Sequence, residues 1–128
     1  MIDDDEDDRE LFEIALKDAD PDVAYISMSN CGDALEVLQD ESIQPDYIFL
    51  DLNMPQMSGR ECLMELKKGV KHRHIPVIIF STSSDPADKI ETLNMGAIDF
   101  ITKPAKTSEL TEILKLFISR HLSAKSTI

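Results

Sequence analysis

A chain of 128 residues with 42% apolar and 30% charged side chains has the length and composition of one compact globular domain. Its formal net charge of -12 is repelled by nucleic-acid phosphates and anionic headgroups, and no apolar run is long enough to span a bilayer. Direct nucleic-acid binding and membrane insertion are therefore excluded, and the start at Met1 without a basic and apolar leader gives cytoplasmic as the expected localisation.

In chain order, residues 6 to 18 put Leu11, Phe12, Ile14, Ala15 and Leu16 at helical spacing, and Asp20-Pro21-Asp22 ends that helix. Residues 23 to 28 read as a short strand, and Gly32 to Gln39 carries Ala34, Leu35 and Leu38 on a helical face. The runs Tyr47 to Leu50 and Val77 to Phe80 are unbroken apolar strands, the kind buried on both faces of a parallel sheet. Helices are expected over 58 to 68 and 86 to 95, then a short strand over 99 to 102. A last helix over 108 to 122 has Leu110, Ile113, Leu114, Phe117, Ile118 and Leu122 on one stripe. The alternation of strand and helix predicts an open, mostly parallel α/β sheet, occupying residues 1 to 122, with residues 123 to 128 as a frayed tail.

Polar residues that end the strands of such a sheet gather in one crevice. Here they are Asp3 and Asp4 after Ile2, Asp51 after Leu50, Ser81 and Thr82 after Phe80, and Lys103 after Thr102. Three crowded carboxylates repel one another unless a cation neutralises them, and an all-oxygen set without histidine or cysteine favours Mg²⁺. A metal beside a nucleophilic carboxylate, with Lys103 and the Ser81 hydroxyl as counter-groups, points to phosphoryl transfer onto Asp51.

Competing readings fall on specific positions. An EF-hand over the acidic run needs glycine where Asp8 stands and glutamate where Ile14 stands. Asp5 to Asp8 read as a solvated helix start, His72 and His74 as surface residues, and Cys31 and Cys62 as two buried small hydrophobes with no disulfide. Glycines at 32, 59, 69 and 96 supply no phosphate loop.

The motifs Ile2-Asp3-Asp4, Phe49 to Pro55 with Ser58-Gly59, Pro76 to Ser81, Gly96-Ala97 and Lys103-Pro104 together resemble bacterial response-regulator receiver domains along nearly the whole chain. The resemblance implies a flavodoxin-like, doubly wound, five-stranded parallel sheet in order 2-1-3-4-5 with five helices. It also implies Asp51 as phosphoacceptor, and Mg²⁺ on Asp3, Asp4, Asp51 and the Asn53 backbone carbonyl. Lys103 would contact the phosphoryl oxygens, Ser81 and Phe100 would be the switch pair, Asn53 and Ser83 would tune the lifetime, and Lys103-Pro104 would be cis.

The run Asp51 to Pro55 with Ser81 to Asp85 is similar to stand-alone regulators associated with phytochrome-type kinases. The implied partners are a sensor histidine kinase or histidine phosphotransfer protein and a downstream protein target. With no effector domain expected after the last helix, output would leave through the fourth helix, fifth strand and fifth helix, a homodimer included. A haloacid-dehalogenase-like phosphatase is the enzymatic rival, but it needs a second aspartate where Asn53 stands. A receiver that only binds, without being phosphorylated, would have no need of Asp3, Asp4, Asp51, Ser81 and Lys103 together.

Three features depart from the family pattern. Only Met1 and Ile2 precede the acidic pair, so the first strand is expected to be truncated, with residues missing before it. Ser81 stands for the commoner threonine, and Phe100 for the frequent tyrosine.

Overall fold

A computed structural model describes residues 1–121 and 127–128. Its helices are α1 (Glu6–Ala19), α2 (Cys31–Val37), α3 (Gly59–Lys68), α4 (Pro86–Asn94) and α5 (Thr107–His121), and its regular strands are β1 (Ile48–Leu50), β2 (Val77–Ser81) and β3 (Asp99–Thr102). The helix starts follow capping chemistry. Asp5, Asn30, Ser58 and Asp85 each accept backbone N–H bonds from the first turn they precede, and Pro86 opens α4 where no N–H is needed.

The strands β1, β2 and β3 pair in parallel in that order. Ile2 bridges Met28 on one side and Leu50 on the other, both in parallel, so the sheet runs Met28, Ile2, β1, β2, β3. This is the expected 2-1-3-4-5 order of a doubly wound parallel α/β sheet, with the first two places reduced to bridges. Residues 23 to 28 form no continuous strand because their expected neighbour is so short. Its backbone still has partners: Ile2 N–H donates to Phe49 O at 2.8 Å, Asp51 N–H to Ile2 O at 3.0 Å and Met28 N–H to Met1 O at 2.9 Å.

Beyond Met1 the same slot takes the other end of the chain, and the expectation of a wholly frayed tail is corrected at its last two residues. Thr127 bridges Ala24 in parallel, Ile128 N–H donates to Ala24 O at 3.0 Å, and Asp46 N–H donates to Thr127 O at 2.9 Å. Backbone groups of residues 24 to 26 and 46 to 47 need partners, and Ile128 becomes core. The rest of the expected tail, with Leu122, lies outside the described residues.

Successive side chains of β1 and β2 enter opposite faces of the sheet. Ile48, Leu50, Val77 and Ile79 pack with Ala34, Leu38, Leu63 and Leu66 of the α2 and α3 side, while Phe49, Ile78 and Phe80 pack with Phe12, Leu16, Leu114 and Phe117 of α1 and α5. On α1 the buried stripe is Phe12, Ala15 and Leu16, whereas Leu11 and Ile14, expected on the same face, are exposed.

Two more expectations are corrected. Cys31 and Cys62 are indeed buried, but they form a disulfide joining the start of α2 to α3, with Cα atoms 5.7 Å apart. A separation of 31 residues carries no sign of that proximity, which arises only when both helices pack on one sheet face. His72 is buried, and its Nδ1 donates to Leu66 O at 2.7 Å, closing the end of α3. Gly69 makes room for that ring, since a Cβ there would lie 2.3 Å from it.

Candidate functional site

The carboxyl ends of the strands bring Asp3, Asp4, Asp51 and Lys103 together. Carboxylate oxygens of Asp3, Asp4 and Asp51 lie within 4.8 Å of one another, Asp3 and Asp51 buried and Asp4 exposed. Lys103 Nζ donates to Asp3 Oδ2 at 2.8 Å and to Asp8 Oδ2 at 2.8 Å, and stands 3.5 Å from Asp51 Oδ1. The ammonium also lies 5.7 Å from the centre of the Phe80 ring.

Each group is aimed by backbone bonds. Asp51 is fixed by its N–H to Ile2 O, Asp3 Oδ1 accepts from Asp5 N–H at 3.0 Å, and Lys103 N–H donates to Ser81 O at 2.7 Å. Behind Asp51, Gly59 N–H donates to Leu52 O at 2.8 Å, and a Cβ on Gly59 would lie 2.2 Å from Asp51 O. Glycine is what lets the start of α3 press on the Asp51 backbone. In the intervening loop Gln56 has φ 65°, a left-handed conformation that non-glycine residues adopt at some cost.

Burial first, and charge crowding second, disfavour the ionised forms of the two buried acids. Burial, then the charge of Asp3, pushes Asp51 up to about 6, against the pull of Lys103. Burial also raises Asp3, opposed by its bonds from Lys103 and from the Asp5 N–H. Burial works against the Lys103 ammonium, yet its bonds to Asp3 and Asp8 carry it above the ordinary lysine range. Three clustered carboxylates with oxygen donors only suit a hard divalent cation such as Mg²⁺, and one ammonium leaves them with excess negative charge.

The other anticipated residues surround this cluster. Ser81 is fully buried and its Oγ accepts from Ser83 N–H at 3.2 Å. Phe100, opposite Ile79 in the sheet register, is half-buried against the core, and Asn53 is exposed at the mouth. The peptide bond before Pro104 is trans, not cis; an X–Pro bond has only a small intrinsic preference, so the dipeptide alone does not set the isomer.

Asp8 is the residue that sequence reasoning missed. Asp5 does cap α1 as a helix-start acid should, but Asp8 lies four residues before Phe12, on the face that α1 buries. An acid in line with a buried stripe needs a cation, and that spacing was the available signal.

Comparison with known proteins agrees with this geometry. The family described as response regulator receiver domain matches residues 1–115. The phosphorylated cyanobacterial phytochrome response regulator RcpA is 29% identical over 95% of this chain and 91% of its own, with a TM-score of 0.82. The Mn(2+)-bound form of response regulator Rcp1 is 26% identical over 92% of this chain and 88% of its own, with a TM-score of 0.76. Response regulator RPA3017, in red light signalling of R. palustris, shares the fold at 22% identity and a TM-score of 0.82, over 98% of this chain and 94% of its own.

Proposed function

The chain belongs to the response regulator receiver family, and from that premise we propose that Asp51 accepts a phosphoryl group from the phosphohistidine of a sensor histidine kinase or a histidine phosphotransfer protein. Receiver domains are phosphorylation-regulated switches of two-component signalling, not classical enzymes, and they partner with histidine kinases. The observation that carries the residue assignment is the buried Asp51 carboxylate, grouped with Asp3 and Asp4 and 3.5 Å from the Lys103 ammonium.

In the reaction an Asp51 carboxylate oxygen attacks phosphorus, the P–N bond of phosphohistidine breaks, and the imidazole leaves with the bonding electrons. The product is an acyl phosphate on Asp51. Lys103, already positioned by Asp3 and Asp8, offers its ammonium to the transferred oxygens. Receiver domains bind a divalent cation at the acidic pocket, and Rcp1 has a Mn(2+)-bound form. Here Asp3, Asp4, Asp51 and the Asn53 carbonyl would hold Mg²⁺, which when bound supplies positive charge shared between carboxylates and phosphoryl group.

Ser81 is the hydroxyl that turns toward the phosphoryl oxygens, Phe100 follows it, and Asn53 and Ser83 at the rim tune the lifetime. Residues 1 to 122 form the receiver unit. As the partner of a histidine kinase the protein works in the cytoplasm. Among the described residues no helix is long and apolar enough to cross a membrane.

Output leaves through α4, β3 and α5 toward a protein target or a second copy. Ile90, Ile98 and Leu116, one from or beside each of these elements, are exposed apolar side chains that support this face. Phe117, on the apolar stripe of α5, packs in the core against Tyr47 and Phe49 and is not part of this face. The test is labelling of the full chain by phosphorylated kinase or a small phosphodonor with and without Mg²⁺. Label dependent on Mg²⁺ and lost in Asp51→Asn is expected, and undiminished label in that variant overturns the assignment.

A further inference from the structure

The Ser81 hydroxyl is one end of a hydrogen-bonded chain that leaves the acidic pocket and returns to its far wall. Ser83 N–H donates to Ser81 Oγ at 3.2 Å, and Ser83 is itself held on every side. Its carbonyl accepts from Thr102 Oγ1 at 3.0 Å, its Oγ accepts from Asp85 N–H at 3.2 Å, and that same hydroxyl donates to Asp88 Oδ2 at 2.5 Å. The other oxygen of Asp88 accepts from Arg60 Nη2, while Arg60 Nε donates to Glu91 Oε1 at 2.8 Å.

Arg60 sits in the first turn of α3, next to Gly59, which presses on the backbone of Asp51. The side chains of Arg60 and Asp88 are 33% and 26% exposed, so their pair is partly shielded, whereas Glu91 at 51% is a rim partner. The chain thus runs from the Asp51 wall through Arg60, Asp88 and Ser83 to the one hydroxyl that must reorient. A Ser81 Oγ that turns to donate to a phosphoryl oxygen gives up the Ser83 N–H, and the more firmly Ser83 is held, the more that exchange costs.

We propose that Arg60 is a positioning residue for the switch: through Asp88 it holds Ser83, and Ser83 holds the Ser81 hydroxyl in its unphosphorylated orientation. The proposal rests on the reading of Asp51 as phosphoacceptor and Ser81 as the moving hydroxyl. Removing the guanidinium frees Asp88, loosens Ser83 and raises the population in which Ser81 is turned inward. The expected gain is about fivefold, the factor of one ordinary hydrogen bond.

The experiment measures the rate of phosphorylation of the full chain by phosphoramidate with Mg²⁺, read by intact mass. Arg60→Ala is expected to react about fivefold faster than the wild type, with Asp88→Asn changing in the same direction. Arg60→Lys, which keeps a cation for Asp88, is expected to return most of the way to the wild-type rate, and Glu91→Gln to leave it unchanged.

The decisive comparison is in a Ser81→Ala background, where Arg60→Ala should have no further effect, because the hydroxyl it acts through is gone. The same acceleration in that background would show general loosening and overturn the proposal. So would equal rates for wild type and both Arg60→Ala and Asp88→Asn, with the phosphoacceptor reading intact. A wild-type chain that takes no label overturns both readings.

Discussion

Asp8 and Lys103, separated by 95 positions in the chain, meet at 2.8 Å beside the buried Asp3 carboxylate. One helix-start acid thereby shares the cation that the pocket uses to offset its own charge.

Asp8→Ala is expected to lower stability by about 1 kcal/mol, discounted because Asp8 is partly exposed while Lys103 is nearly covered. Lys103 keeps its bond to Asp3, so the fold survives. Urea denaturation of variant and wild type at one pH measures the difference, and equal midpoints and slopes would show that the ion pair contributes nothing net.

Asp51 titrates near 6 in the folded protein against an ordinary 3.8, so between those values the folded state binds more protons than the unfolded one. Its contribution to stability is therefore present at low pH and is lost as pH rises through about 6. Without metal, Asp51→Asn is expected to be more stable than the wild type at neutral pH by ~1–3 kcal/mol, a gain that shrinks on acidification toward pH 4. Mg²⁺ should reverse the trend by stabilising the carboxylate form. Denaturation series across pH, with and without Mg²⁺, read both effects, and a gain independent of pH would contradict the assignment.

Reduction of the Cys31–Cys62 disulfide opens a link across 31 residues, for which chain entropy gives a loss of about 3–4 kcal/mol. Guanidinium denaturation with and without dithiothreitol tests this. Identical curves, with thiol titration confirming reduction, would mean that packing of α2 on α3 already sets the geometry.

Gly59→Ala puts a methyl group 2.2 Å from Asp51 O and 2.5 Å from Leu52 Cα, both backbone atoms that cannot swing aside. A destabilisation of about 3 kcal/mol is expected, with slower phosphorylation because Asp51 is displaced. Thermal melting and labelling rates check it; full stability would mean that the start of α3 shifts away freely.

How much of this was legible depended on whether the relevant contact had a local trace. Asp51, Ser81 and Lys103 stood out because each ends a short apolar run, and a parallel sheet turns strand ends into one crevice. Asp8 was hidden inside six consecutive acids, where helix-start chemistry explains its neighbours and masks the one that faces inward. The cysteine pairing and the Arg60, Asp88 and Ser83 chain join helices and loops that only tertiary packing brings together. The reduced edge of the sheet was anticipated from the two residues before Asp3, but not its completion by Thr127 and Ile128, because the slot belongs to no single segment.

The close seat of Gly59 against Asp51 makes the pocket lopsided as a machine. On the α3 side the main chain of Asp51 is clamped between Ile2 and the helix start, with no slack to absorb a bulkier side chain. On the opposite side Thr82, Ser84 and Asp85 are exposed, and Ser83 between them is held by side-chain bonds to Asp85 N–H and Asp88 that can be exchanged one at a time. A displacement of the Asp51 backbone thus meets a rigid wall on the α3 side and exchangeable bonds on the α4 side, the anvil on one side of the pocket and the lever on the other.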